Sequence, residues 1–228
     1  PESQIIKVET QCFASRIGKR LKKVKDLTTE KSENMIPKDR SNIETEQQNS
    51  SSRNLHLKNI EECLDLISNE DQRVLTAIQS AKPKIQAFLE KAVPLFEKGG
   101  RVFYMGAGTS GRLGVLDASE IPPTFQMPAD RFIGIIAGGD GALRKSSEGK
   151  EDDTNGGRAV LLENKIREND ILIGIAAGGT TPYVLGAFEI AKKISTQILT
   201  AYIVCTDIPK PITVDHLIYL STGPEVVT

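Results

Sequence analysis

With 228 residues, of which 39% are apolar, the chain can hold one α/β domain of ordinary size plus an appendage. Its formal charge of −1 excludes a global electrostatic attraction to nucleic acid, so any basic surface is local. Cys12, Cys63 and Cys205 stand far apart without a C-x-x-C spacing and indicate neither a disulfide framework nor a zinc site. No apolar run reaches transmembrane length and the first residues lack the apolar core of a secretory signal, which makes a soluble cytoplasmic protein the default expectation.

Residues 1–43 differ in character from the rest. Arg16, Lys19, Arg20, Lys22, Lys23 and Lys25 crowd one segment in which Phe13, Ile17, Leu21 and Val24 recur at helical spacing, a basic amphipathic helix. An anionic surface, a targeting role and a partner groove are the functional readings; a solvated helix packed on the domain is favoured. A start at Pro1 is what a cut piece, or the tail of a preceding segment, would show. Residues 26–53 are polar with few apolar anchors and read as a linker or mobile arm. Three helices follow. Ile60, Cys63, Leu64 and Ile67 stripe the first, Asn69-Glu70-Asp71 end it and cap the second, from which Val74, Leu75 and Ile78 point inward, and residues 82–98 form a third, broken or bent near Pro94 and ended by Gly99-Gly100.

Residues 101–125, RVFYMGAGTSGRLGVLDASEIPPTF, read as a short strand, a small-residue turn and a helix. That order sets free N–H groups and the positive end of a helix dipole beside glycines, an anion site. Thr109 and Ser110 add hydroxyls that a turn needed only for chain reversal does not require. The spacing Gly106-x-Gly108-x-x-Gly111 also fits a dinucleotide fingerprint, but the acidic residue expected at the end of the second strand is misplaced. Asp130 precedes that strand and Asp140 lies too far along.

Residues 132–137 form the second strand, closed by Gly138-Gly139-Asp140. The piece ALRKSSEGKEDD reads as a helix with Glu148 and Glu151 on one face, weakened by Gly149. Residues 161–167 look like the end of a further helix. Residues 170–177 are a third strand, uninterruptedly apolar as in a parallel sheet buried on both sides. It leads into Gly178-Gly179-Thr180-Thr181-Pro182 and the helical pattern YVLGAFEIAKKI, a second unit of strand, hydroxyl-bearing turn and helix. Strands at 199–205 and 216–220 complete five. Alternating strands and helices imply a parallel sheet with helices on both faces and ligands beyond the strands' carboxyl ends, and both loops and both candidate carboxylates, Glu120 and Glu151, are expected on that edge.

The segments GAGTSGRLGVLDASEIPPTF, IIAGGDGALRKSSEGKEDD, GIAAGGTTPYVLGA and GPEVVT together closely resemble the N-acetylmuramic acid 6-phosphate etherases, members of the sugar isomerase (SIS) fold family. The resemblance starts near Glu44 and reaches the last residue, whereas the family continues past GPEVVT. It implies a basic and polar extension over 1–43, an N-terminal helical segment over 44–98 and a SIS-type three-layer sandwich with a five-stranded parallel sheet over 99–228, truncated at the C-terminus.

It further implies a lyase of amino sugar catabolism and cell wall recycling, one that removes the D-lactyl ether from C3 of the phosphorylated sugar to give N-acetylglucosamine 6-phosphate and D-lactate. No metal or organic cofactor is implied. Glu120 matches the family's proton donor and Glu151 its second acid/base residue; Glu148 is a decoy suited to a helix-face ion pair, and Asp152 and Asp153 read as helix-end charges. Gly108, Thr109, Ser110 and Gly111 in the first loop, with Gly178, Gly179, Thr180 and Thr181 in the second, match the substrate and phosphate sites. Where the family usually has serine this chain has Gly178, a loss of roughly 1.5 to 3 kcal/mol for a hydroxyl on a charged oxygen unless backbone N–H groups or Thr180 replace it.

Relatives of this kind are homodimers whose active sites borrow residues from the neighbouring subunit, and their partner is a small sugar phosphate rather than nucleic acid or membrane. Two other functions fit these residues less well. A non-catalytic hexose-phosphate sensor resembling glucokinase regulatory protein has no use for a carboxylate at Glu120, and an aldose–ketose isomerase does not account for the DASE and EGKEDD segments. His56 and His216 are read as ordinary polar positions.

Overall fold

The computed structural model describes residues 43–147 and 149–227. The basic helix expected around residues 13–25, Cys12 and Glu148 lie outside the described residues. The strands are β1 (Val102–Gly106), β2 (Phe132–Ile136), β3 (Ile171–Ile175), β4 (Leu199–Val204) and β5 (His216–Tyr219). They form one sheet in the order β2-β1-β3-β4-β5, parallel throughout, the α/β architecture expected. Helices α1 (Ile60–Glu97), α2 (Gly108–Phe125), α3 (Gly141–Arg144), α4 (Gly156–Glu163) and α5 (Pro182–Ile194) accompany it.

Strand periodicity divides the apolar residues between two cores. Phe103, Met105, Leu172, Tyr202 and Val204 pack with Leu161 of α4 and Val184 and Phe188 of α5. Val102, Ile171, Ile173, Ala201 and Ile218 face the other way, onto Ala81, Phe88 and Ala92 of α1. His216 meets the edge of the Phe88 ring there, a packing role.

The three expected N-terminal helices are one helix of 38 residues. Asn59 and Glu62 form a reciprocal capping box at its start, and Asn69-Glu70-Asp71, read as a break, continues it. Pro83 and Pro94 each remove a helix hydrogen bond, but both are exposed, where water can take the freed carbonyls. The stripe it buries is Ala77, Ala81, Phe88 and Ala92, in which three alanines let the helix approach the sheet closely. Val74, Leu75 and Ile78, expected inward, are 40%, 59% and 45% exposed.

The supposed arm is anchored in its described part. Ile43 is buried, and the buried Asn49 amide donates to Glu70 Oε2 at 3.0 Å and to the Pro224 carbonyl at 3.2 Å while accepting from the Ser51 N–H. The Tyr219 hydroxyl donates to Glu44 at 2.7 Å. Composition missed these anchors because they are a few polar contacts rather than an apolar stripe.

Asp170, fully buried just before β3, fixes the starts of the central strands. It accepts from the backbone N–H groups of Arg101 and Arg167 at 2.9 Å each and pairs with the Arg101 guanidinium at 2.7 Å. Arg101 also donates to the carbonyls of Asn164 and Lys165, so one ion pair joins β1, β3 and the loop after α4. Removing one partner leaves a charge and two N–H groups buried. Asp170→Ala should destabilise the protein by about 3–5 kcal/mol, read as a shift in urea unfolding; a loss below about 1 kcal/mol, the scale of an exposed pair, would show that the network is incidental.

Candidate active site

Two loops leave neighbouring strands at one level. Gly106 of β1 is in register with Ile175 of β3, so the turn into α2 and the turn into α5 start side by side at the carboxyl edge. The chain goes from β1 outward to β2, returns to β3 on the other side of β1, and continues to β4. The gap between β1 and β3 is therefore the topological switch point of the sheet, where doubly wound proteins bind ligands.

The first turn is held tight by missing side chains. A Cβ on Gly106 would lie 2.7 Å from the Gly111 nitrogen, and one on Gly111 would lie 2.7 Å from Ile136 and 2.8 Å from the Gly106 carbonyl. Gly108 opens α2 at φ 53°, and Thr109 and Ser110 occupy the first turn, where backbone N–H groups lack helical acceptors. Arg112 donates from Nε to the Leu143 carbonyl at 3.2 Å, tying this helix start to α3 and the loop beyond β2.

Across the gap, Gly179 at φ 67° turns the second loop, Thr180 is buried, and Thr181 opens α5 without a side-chain capping bond. Pro182 supplies the first helical residue. The floor beside Gly178 is Ile43 of the N-terminal segment, whose Cγ2 would be 3.4 Å from a Cβ at 178, an ordinary contact. The site thus has room for the serine that this chain lacks. Sequence reasoning missed Ile43, and it missed Thr206, just past the end of β4. Thr206 is 5% exposed, and its hydroxyl has no partner among the described residues. Its neighbour Cys205 donates its backbone N–H to Ala177 of the second loop at 2.8 Å.

Glu151 is not on a helix. Only Gly141–Arg144 of the predicted helix forms, and Glu151 lies in the turns that precede α4. Gly149 there has φ 74°, a conformation that a helix cannot use. The Glu151 carbonyl accepts from the N–H of Tyr183, two residues after Thr181, at 2.9 Å, so this carboxylate is carried next to the second loop. The contact depends on Gly186: a Cβ there would be 1.9 Å from the Thr154 carbonyl. Asp153 accepts from the Asn155 N–H at 2.9 Å and shapes the entry to α4.

Glu120 is placed differently, and the expectation that both carboxylates share the carboxyl edge is corrected. It follows Ser110 by ten residues in the unbroken α2, which runs back along the sheet, so at a rise of about 1.5 Å per residue it stands about 15 Å along the axis from Ser110. Its side chain is exposed, whereas Gly111, Gly114 and Ala118 form the buried face of that helix.

Among the described residues, no cluster of three or more His, Cys, Asp or Glu side chains is placed to hold a metal ion, and no helix is long and apolar enough to cross a membrane. The loops present hydroxyls, N–H groups and a helix N-terminus on each side of the gap, a set suited to a phosphate monoester.

Residues 84–192 match the model of the family described as glucokinase regulatory protein N-terminal SIS domain. An N-acetylmuramic acid 6-phosphate etherase of Bacteroides fragilis is 51% identical over 175 residues, covering 76% of this chain and 62% of the relative. One from Lactococcus lactis is 46% identical over 197 residues, covering 83% and 64%. The chain thus spans under two thirds of the length of these curated relatives. A phosphoheptose isomerase from Francisella tularensis superposes with a TM-score of 0.50 at 18% identity, covering 72% of this chain and 86% of that one, a likeness of fold. With half of the aligned residues identical over three quarters of its length, and the SIS fold around them, the chain belongs to the sequence family of the N-acetylmuramic acid 6-phosphate etherases.

Proposed function

We propose that the whole protein is a carbon–oxygen lyase that releases D-lactate from N-acetylmuramic acid 6-phosphate in the cytoplasm, acts as a homodimer and needs no cofactor. The observation that carries this reading is the 46–51% identity to relatives named for that activity. Within the chain, residues 44–98 serve as the helical segment and 99–228 as the sugar-phosphate domain.

The phosphate lies in the gap between β1 and β3, held by the N–H groups and hydroxyls of Thr109 and Ser110 on one side and by Gly178, Gly179, Thr180 and Thr181 on the other. In the ring-opened sugar the C1 carbonyl acidifies the C2 proton. Glu151 takes that proton as the C3–O bond breaks, and Glu120 gives its proton to the departing lactate oxygen. Water then adds to the alkene: its hydroxide joins C3, its proton returns to Glu120, and Glu151 returns the first proton to C2. The products are N-acetylglucosamine 6-phosphate and D-lactate, with both carboxyl groups restored.

Positioned acid–base groups contribute roughly 100-fold to 10,000-fold. Glu120→Gln and Glu151→Gln should each lower D-lactate release by that order with binding of a hexose 6-phosphate retained. Full turnover in either variant contradicts its assigned role, and binding without turnover in the unsubstituted protein favours a sensor.

Gly186→Ala should displace the loop that carries Glu151. A misplacement of about 1 Å can cost on the order of 100-fold, so kcat should drop sharply while KM changes little. Unchanged kcat would show that the loop finds its position without this contact. Gly178→Ser should lower KM severalfold by adding a donor to the phosphate, and a raised KM would mean that Ile43 leaves the hydroxyl no useful direction.

A further inference from the structure

The second loop of the site is supported from two remote parts of the chain. On one side stand β4 and the residues after it. Ala177 accepts from the Cys205 N–H at 2.8 Å, and a Cβ on Gly179 would meet Ile208 at 2.8 Å and Val204 at 3.3 Å. On the other side stands Ile43, whose Cγ2 and Cδ1 would be 3.4 and 3.8 Å from a Cβ on Gly178. Ile43 is 5% exposed yet lies in neither apolar core, so its burial covers the loop rather than fastening a helix to the sheet.

No apolar stripe holds the segment that carries Ile43; polar contacts pin it. Glu44 accepts from the Tyr219 hydroxyl of β5 at 2.7 Å, and the Glu46 N–H closes a turn on the Ile43 carbonyl at 3.0 Å. Farther along, Asn49 is 1% exposed. An amide buried that far costs stability unless its groups are bonded, and all of them are. Its Nδ2 donates to Glu70 of α1 at 3.0 Å and to the Pro224 carbonyl at 3.2 Å, while its Oδ1 accepts from the Ser51 N–H at 2.8 Å. Those acceptors are themselves fixed. Arg73 pairs with Glu70 at 2.9 Å, and Gly223 passes so close to the same guanidinium that a Cβ there would be 3.1 Å from Arg73 Nη2.

We propose that Asn49 is a positioning residue for phosphate binding: with Glu70, Pro224 and the Glu44–Tyr219 bond it holds Ile43 against Gly178 and so fixes the donors of residues 178–181. The role rests on the phosphate site proposed above and adds to it a residue that touches no substrate. An arm that served stability alone would bury its apolar side chain in a core, whereas this one buries it against the loop. Gly178 makes the support matter more, because a glycine has no side chain to hold its own backbone in place.

The test reads binding and turnover apart in the whole protein. Dissociation constants for a hexose 6-phosphate come from calorimetry, kcat and KM from D-lactate release, and stability from urea unfolding. Asn49→Ala and Ile43→Ala should each weaken hexose 6-phosphate binding and raise KM by about twofold to thirtyfold with kcat little changed. Because one residue acts through the other, the combined variant should bind no more weakly than the weaker-binding single one. Tyr219→Phe, which keeps the ring and removes only the hydroxyl from Glu44, should shift binding in the same direction, and it decides the question if Asn49→Ala does not fold. Unchanged binding accompanied by lower stability overturns the positioning role, and so do losses that add in the combined variant. No binding of the hexose 6-phosphate by the unsubstituted protein overturns the phosphate site itself, a separate result. The binding measurement needs no turnover, so it also stands apart from the acid and base roles.

Discussion

The site depends on one backbone arrangement: β1 and β3 are hydrogen-bonded neighbours whose continuing chains turn to opposite faces of the sheet. Helix α2 packs on the side of α1, and α5 on the side of α4, so the two turns open a gap between them while their strands stay level. Two close approaches and one ion pair maintain that geometry. Gly106 and Gly111 let the chain enter α2 without clearing a Cβ, and Asp170 with Arg101 fixes where the central strands begin. Under the proposed function, an anion in the gap would meet main-chain donors from both sides, which no single loop supplies.

Positions that chemistry restricts locally were legible in the sequence. Short apolar runs ending in glycine and hydroxyl residues marked the ends of β1 and β3, and the alternation of strands and helices gave the parallel sheet. The N-terminal half was less legible. The apolar residues of α1 read as the stripes of separate helices, yet the helix buries chiefly alanines and leaves Val74, Leu75 and Ile78 open. Hydrophobic periodicity marks apolar faces but not which of them meets the sheet, and α1 meets it through small side chains that the pattern does not single out. Asn69-Glu70-Asp71 resembled a helix end because such residues favour caps, whereas Glu70 holds the buried Asn49 amide from mid-helix.

The loop that carries Glu151 was illegible for another reason. Its conformation is set by Gly149 at positive φ and by contact with Gly186 and Tyr183 more than thirty residues away, and no local pattern encodes such a contact. Glu120 shows the reverse limit. Its helix was readable, but the expectation of a shared edge treated a position near the strand end in sequence as near it in space. Counting along the helix axis separates the two.

A co-crystal structure of the Glu151→Gln variant of the whole protein with N-acetylmuramic acid 6-phosphate tests this account most directly. It should show the phosphate between residues 108–111 and 178–181, the glutamine at 151 near C2, and Glu120 within hydrogen-bond distance of the ether oxygen. A phosphate bound elsewhere, or a sugar whose ether oxygen Glu120 does not reach, would contradict it.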